Sequence, residues 1–247
     1  MCFSGGEPFS RPDIAELIAA AKNEGFSDIW AISNGRMLSK QGLAKKVVQA
    51  GLTGICISCH SSCKDLNNYL AGKKDNFRKV KNALANLRQY KIRISSNTVV
   101  MKSNCTELAQ IIDFLIRNGV NAFSSLVFVM PSENAWLNRW RLVPRVSSVI
   151  PYVIEAINFG KSKGFLVNTE GFPFCLLQGY ENHISEFAMP LEWSSDTPES
   201  FHSDHLQHIR DGKARSEECG NCLYNSQCGG IWVNYAKIYP LDEFCTR

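Results

Sequence analysis

Short β-rich runs alternate with helical segments four times in the first half of this chain, and that alternation restricts the fold more than any other feature. Apolar residues at helical spacing cover Asp13 to Glu24, Lys40 to Ala50, Asn76 to Tyr90 and Thr106 to Asn118. The runs between and after them cover Asp28 to Ile32, Gly54 to Ser58, Lys91 to Met101 and Ala122 to Met130. With connections this short, the succession predicts a parallel sheet with crossover helices, either closed as a barrel or opened as a doubly wound sheet. Polar or glycine-bearing segments end the strands: Gly5-Gly6, Asn34-Gly35, Ser58 to Cys63 and Met130 to Asn134. A parallel sheet collects such segments on one rim, where ligands bind. Pro144 to Gly164 reads as one more helix, interrupted or started at Pro151, and Phe165 to Val167 as one more strand.

Composition removes several classes. A hydrophobic fraction of 45% with 20% charged residues, over 247 residues, fits a globular domain and excludes disordered or fibrous chains. The net charge of +4 is spread along the sequence, and the densest basic stretch, Lys73 to Lys81, is interleaved with apolar residues as a solvated helix face would be. No nucleic-acid partner is expected. Without a run of eighteen apolar residues or a basic segment leading into an apolar one, neither a membrane span nor a secretory leader is expected, and the expected location is cytoplasmic. Ten cysteines are then better explained by metal binding than by disulfides.

Two segments hold most of these thiols. Cys219-Gly220-Asn221-Cys222 with Cys228 reads C-x2-C-x5-C, in which a tight turn supplies two ligands and the next loop a third. Gly229 and Gly230 would let the backbone pass close to a cluster. A closed zinc site or a fully ligated iron–sulfur cluster needs a fourth ligand, for which Cys175 and Cys245 are the candidates. Beyond Gly171 periodicity fades, as in a segment organised around a metal rather than an apolar core. Cys56, Cys59 and Cys63 form the other group. Strand alternation puts Cys56 and Ser58 on one face and Cys59 on the other, so strand thiols are favoured there over a second cluster. His60 is expected to be satisfied by its own loop. His202, His205 and His208 suggest a solvated helix more than a ligand set. Trp136, Trp140 and Trp193 either line a cleft or pack the irregular region.

Gly5-Gly6-Glu7-Pro8 ends the first strand. Two glycines let backbone approach a ligand, Glu7 offers a carboxylate, and Pro8 stops the strand. Together with the later strand ends and the cysteine motif, this tetrapeptide resembles the GGEP signature of the radical S-adenosylmethionine (SAM) superfamily. The resemblance is closest to members with a C-terminal SPASM- or twitch-like auxiliary cluster. Ser33-Asn34-Gly35 is similar to the next strand end of that family, Ile57 to Ser62 to the one after it, and Val127 to Met130 to a strand edge beside adenine. The resemblance implies an α/β fold, a partial (β/α)6 TIM-like barrel missing its first βα unit, over residues 1–170, with a small irregular cysteine-rich domain over 171–247. It implies that Gly5, Gly6, Glu7, Pro8, Ser33, Asn34, Ser58 and Asn97 contact SAM. It implies an auxiliary 4Fe-4S cluster on Cys175, Cys219, Cys222 and Cys228, followed by Tyr235, Tyr239 and Glu243-Phe244.

The implied activity is that of a maturase acting on a peptide or protein substrate, with a reductant protein as a further partner. The family's C-x3-C-x2-C motif, whose cluster cleaves SAM reductively to a 5′-deoxyadenosyl radical, is absent from these 247 residues. By the family pattern it would lie upstream of Met1 by about 30 residues. A truncated or degenerate form that does not itself cleave SAM is therefore expected, and no catalytic residue is assigned. A catalytically inactive iron–sulfur or zinc-ribbon interaction protein stays open, as does an unrelated βα enzyme with a phosphate loop at Gly5-Gly6.

Overall fold

The computed structural model describes residues 1–188, 195–196, 201–202 and 211–244. Six strands lie in one sheet in chain order: β1 (Cys2–Phe3), β2 (Trp30–Ser33), β3 (Gly54–Ser58), β4 (Arg93–Val100), β5 (Phe123–Phe128) and β6 (Leu166–Glu170). The pairs β1–β2, β2–β3 and β3–β4 are parallel. Helices connect them: α1 (Ile14–Asn23), α2 (Gln41–Ala50), α3 (Lys64–Leu70), α4 (Asn76–Leu87), α5 (Leu108–Arg117), α6 (Glu133–Leu137), α7 (Arg139–Leu142) and α8 (Val146–Ser162). The expected α/β architecture, a partial TIM-like barrel, is what the chain forms. After β6 come α9 (Ser185–Ala188) and two short antiparallel pairs, β7 (Ser195–Asp196) with β8 (Phe201–His202), and β9 (Lys213–Ala214) with β10 (Ile231–Trp232).

The chain divides into two compact units, residues 1–98 with 107–125 and 159–166, and residues 99–106 with 126–158 and 167–247. In the first unit the helix periodicity is directly visible in burial. Val80, Ala83, Leu84 and Leu87 of α4 and Leu108, Ile111, Ile112 and Leu115 of α5 follow the i, i+3, i+4, i+7 pattern and are all buried. Ala31, Ile55, Ile57 and Ile94 of the strands, and Ile29 just before β2, also lose nearly all contact with solvent. Each of the buried Val, Leu and Ile side chains contributes about 1.5–3 kcal/mol on leaving water.

The second unit is built around aromatic contacts. Phe128 meets Phe172 at 5.3 Å and Tyr235 at 5.8 Å between ring centroids, both edge-on. The Tyr235 hydroxyl accepts from Val146 N at 2.9 Å and donates to Glu243, whose other carboxylate oxygen accepts from Ser147 N at 2.8 Å. Tyr235 and Glu243 thus cap two orphan amides at the start of α8, a structural role for residues that the family resemblance tied to the auxiliary cluster. Burial, reinforced by Glu243, keeps the Tyr235 phenol protonated. The helix expected to break or start at Pro151 does neither. It begins at Val146 and runs through the proline, which removes only one amide donor near the helix start. Among the described residues no helix is long and apolar enough to cross a membrane.

Candidate functional site

The first group of candidate residues sits on the strand ends of the first unit. Gly5 has φ +106°, a backbone state that favours glycine, and a side chain at Gly5 or Gly6 would meet nothing within 4 Å. The tetrapeptide therefore borders open space. Pro8 ends the extended segment and opens a single 3-10 turn, Pro8–Ser10, whose first amide is capped by the Glu7 carboxylate (Phe9 N to Oε1, 3.2 Å). The same carboxylate accepts from Ser33 Oγ at 2.8 Å and, through Oε2, from Asn34 N at 2.8 Å. Two of these three hydrogen bonds, from Ser33 and Asn34, hold the end of β1 to the end of β2, and the third caps the local turn. Ser33 Oγ in turn accepts from Gly35 N at 3.0 Å.

Ser58 and Asn97 are brought together by register, as Cα partners on β3 and β4. Asn34 follows Ser33, which pairs with Ile57, and so stands level with Ser58. The register therefore sets Asn34 just past β2, Ser58 at the end of β3 and Asn97 within β4 side by side. Cys59 N donates to Asn97 O at 3.0 Å and Thr98 Oγ1 donates to Cys59 O at 2.7 Å, which pins the loop after β3 to β4. Asn97 Oδ1 is buried without a hydrogen-bond partner in the protein. An orphaned acceptor of this kind costs about 1–3 kcal/mol unless a bound group donates to it.

Sequence reasoning missed the frame behind this loop. Between β3 and α4 only a polar loop was expected, yet Lys64–Leu70 is helical and carries the buried Asn67. Asn67 Nδ2 donates to Ser61 O at 3.0 Å, and Asn76 Nδ2 donates to Asn67 Oδ1 at 2.9 Å. The signal was present as two asparagines nine residues apart, but neither spacing nor composition marks them. Cys56 is half-buried, Cys59 buried and Cys63 exposed, and they form no three-ligand group of the kind that holds a metal ion. Desolvation pushes the Cys59 thiol up to about 12, which leaves it protonated and a poor metal ligand. Desolvation also pushes His60 down to about 4, so its ring is neutral.

The second group lies entirely in the second unit. Cys175, Cys219, Cys222 and Cys228 line one cavity, floored by Pro173 and Arg215. Cys222 N donates to Cys219 O at 3.2 Å within the tight turn, and Gly230 N donates to Cys228 Sγ at 3.3 Å. Arg215 donates to the carbonyls of Asn225 and, at 2.9 Å, Cys228, closing the five-residue loop between the last two thiols. Gly230 is needed for another reason than the one expected. It has φ +93° and a Cβ there would overlap the Ala214 carbonyl of β9. Tyr224, whose hydroxyl donates to Glu181, stands beside Cys222 and Cys175 and packs on Phe174 at 6.4 Å. Among the described residues no three His, Cys, Asp or Glu side chains converge on one point as ligands of a single ion do. Cys245, His205, His208 and Trp193 lie outside the described residues, and of His202 only its strand position is described. Trp140 is 59% exposed, and Arg139 lies 4.4 Å from the Trp136 ring and 5.5 Å from that of Trp140.

Comparison with known proteins decides the family of this rim. The description "Radical SAM superfamily" matches residues 1–134, more than half of the chain. The chain belongs to the radical SAM superfamily. A probable GTP 3',8-cyclase of Sulfurisphaera tokodaii is 36% identical over 123 residues, covering 48% of this chain and 37% of that protein. The GTP 3',8-cyclase of Aquifex aeolicus is 29% identical over 147 residues, covering 59% and 44%. The chain thus spans less than half the length of these relatives. In fold it is similar to Streptococcus suis SuiB, solved with precursor peptide SuiA, at TM-score 0.64 and 13% identity, over 100% of this chain and 64% of that one. It is also similar to anSMEcpe with bound AdoMet, at TM-score 0.62 and 14% identity, over 94% and 73%. Membership of the superfamily implies SAM and a 4Fe-4S cluster as the cofactors.

Proposed function

We propose that this chain is part of a radical SAM enzyme that modifies a peptide or protein, with residues 1–170 forming the SAM-binding barrel portion and 171–247 an auxiliary cluster domain in the cytoplasm. The observation that carries the reading is the single cavity shared by Cys175, Cys219, Cys222 and Cys228. In a zinc site, ligands at about 2.3 Å from one ion bring their sulfurs to within about 4 Å of one another. The four thiols come from three separate turns and line one cavity, which supports a shared metal centre, and four thiolates are the ligand set of a 4Fe-4S cluster. The N–H to Cys228 Sγ contact suits a thiolate, whose charge such donors stabilise.

SAM fits the other group of residues. Open space borders Gly5 and Gly6, Asn97 Oδ1 lacks a donor, and Asn34 and Ser58 flank it. When bound to a reduced cluster, SAM supplies a radical for hydrogen abstraction. The residues here position it: Glu7, Ser33 and Asn34 fix the rim, and Asn97 accepts from its polar groups. The peptide reading is supported by the likeness to SuiB, which covers the whole chain and was solved with its precursor peptide. The GTP 3',8-cyclases match at most 59% of this chain, whereas the likeness to SuiB runs over all of it.

Iron, zinc and sulfide analysis of anaerobically purified protein tests the cluster. About four irons and four sulfides per chain are expected, with Cys222→Ala losing most of the iron and loosening the C-terminal region, since metal binding there is folding free energy. A colourless protein holding zinc alone would overturn the cluster and leave the zinc-ribbon interaction protein as the better account.

A further inference from the structure

A cluster of buried charge closes the end of β6. Glu170 ends that strand and Gly171 follows it, Glu186 comes from α9, Lys213 from β9 and Trp232 from β10. Gly171 N donates to Glu186 Oε1 at 2.9 Å, and the Lys213 ammonium lies 3.5 Å from the same oxygen. Only 3% of the Lys213 side chain and 9% of the Glu186 side chain remain exposed. The ammonium also sits 5.2 Å from the centroid of the Trp232 ring. A Cβ built on Gly171 would stand 3.5 Å from Trp232 Nε1, so the indole nitrogen lies beside the backbone that ends β6.

Two buried atoms here have no partner within the protein: Glu186 Oε2, an acceptor, and Trp232 Nε1, a donor. Two carboxyl groups, Glu170 and Glu186, share the one ammonium of Lys213 here. Burial first, and then Glu186, push the Glu170 carboxyl above its usual range, while Lys213 pulls it back. An apolar guest would leave both orphans unpaired, and an anion would face two carboxyl groups. A water molecule would satisfy the hydrogen bonds but leave the repulsion between the two carboxyl groups, which a second cation would relieve.

We propose that this cluster is a binding subsite for a primary ammonium group with a carbonyl beside it, as carried by a peptide N-terminus or by an amino acid. The ammonium pairs with Glu186 Oε2 and Glu170, and the neighbouring carbonyl accepts from Trp232 Nε1. Glu170 and Trp232 are only half-buried, which leaves an approach. The subsite requires neither SAM nor a cluster and stands whether or not the maturase reading holds.

The test is a titration of the full chain followed through its indole N–H signals by nitrogen-15 NMR, with the Trp232 signal identified from Trp232→Phe. Glycinamide and triglycine amide are the probes, and N-acetylglycinamide is the control without an ammonium group. Saturable movement of the Trp232 signal by glycinamide but not by the acetylated control is expected, with Glu186→Gln weakening it by about tenfold, equivalent to about 1.4 kcal/mol. If triglycine amide acts as well, the source is a peptide end; if glycinamide alone acts, it is a free amino-acid derivative. An equal response to the acetylated control, or an unmoved Trp232 signal in protein whose other indole signals stay dispersed, would overturn the subsite and leave bound water as the occupant.

Discussion

Asn97 shows how a single atom separates stability from binding. Its Oδ1 is buried and unpaired in the protein, so replacing Asn97 by Leu removes an acceptor that the unliganded chain does not use. We expect thermal stability to be unchanged or raised by up to about 1 kcal/mol, while SAM affinity by calorimetry drops about tenfold, the worth of one hydrogen bond to a ligand. A large loss of stability with unchanged affinity would refute the assignment. Cys59 makes the opposite case, a cysteine that looks reactive in sequence and is not. With its thiol pushed up to about 12, it should stay unmodified by iodoacetamide at pH 8 in the native state, while the exposed Cys63 reacts. Peptide mass spectrometry after brief labelling distinguishes them, and labelling of Cys59 at the rate of Cys63 would refute its burial.

At the level of elements, what could be read in the sequence was whatever follows a period. The i, i+3, i+4, i+7 spacing in α4 and α5 is written in the residues and reappears as burial, because one helix face must meet the sheet. Strand ends were legible for the same reason, and with them most of the rim. Two things were not. Glu7 reads as a free carboxylate, because hydrogen bonds to Ser33 and Asn34, 26 and 27 residues away, leave no local pattern. Likewise α3 is short and polar, stabilised by the Asn67 amide network rather than by an apolar stripe. Gly230, two residues after Cys228, was legible as a requirement but not as to cause. Gly230→Ala places a methyl on the Ala214 carbonyl at φ +93°, so the β9–β10 pair should be lost together with iron binding. The cost should be about 1–3 kcal/mol or more, read by denaturant unfolding and by the iron-to-protein ratio. Full iron retention would show that the hairpin does not support the thiols.

For the whole molecule, acid sensitivity follows from one desolvated ring. His60 is held at about 4 against an ordinary value of 6.5, so between those values the unfolded chain binds a proton that the folded chain refuses. Stability therefore rises with pH across that window and is lost as pH falls from about 6.5 toward 4, by up to about 1.4 kcal/mol per pH unit. Urea midpoints at pH 7 and pH 4.5 should differ less in His60→Gln than in the parent; equal differences would refute the coupling. The parallel pairing of β2 with β3 and of β3 with β4 carries a consequence for how this chain tolerates insertions. Ladder hydrogen bonds, not side chains, set the spacing of Asn34, Ser58 and Asn97. One residue added inside β3 would turn Ser58 to the opposite face and uncouple the three. Residues added at the α3–α4 turn near Lys73 would lengthen a surface connection and leave that spacing alone.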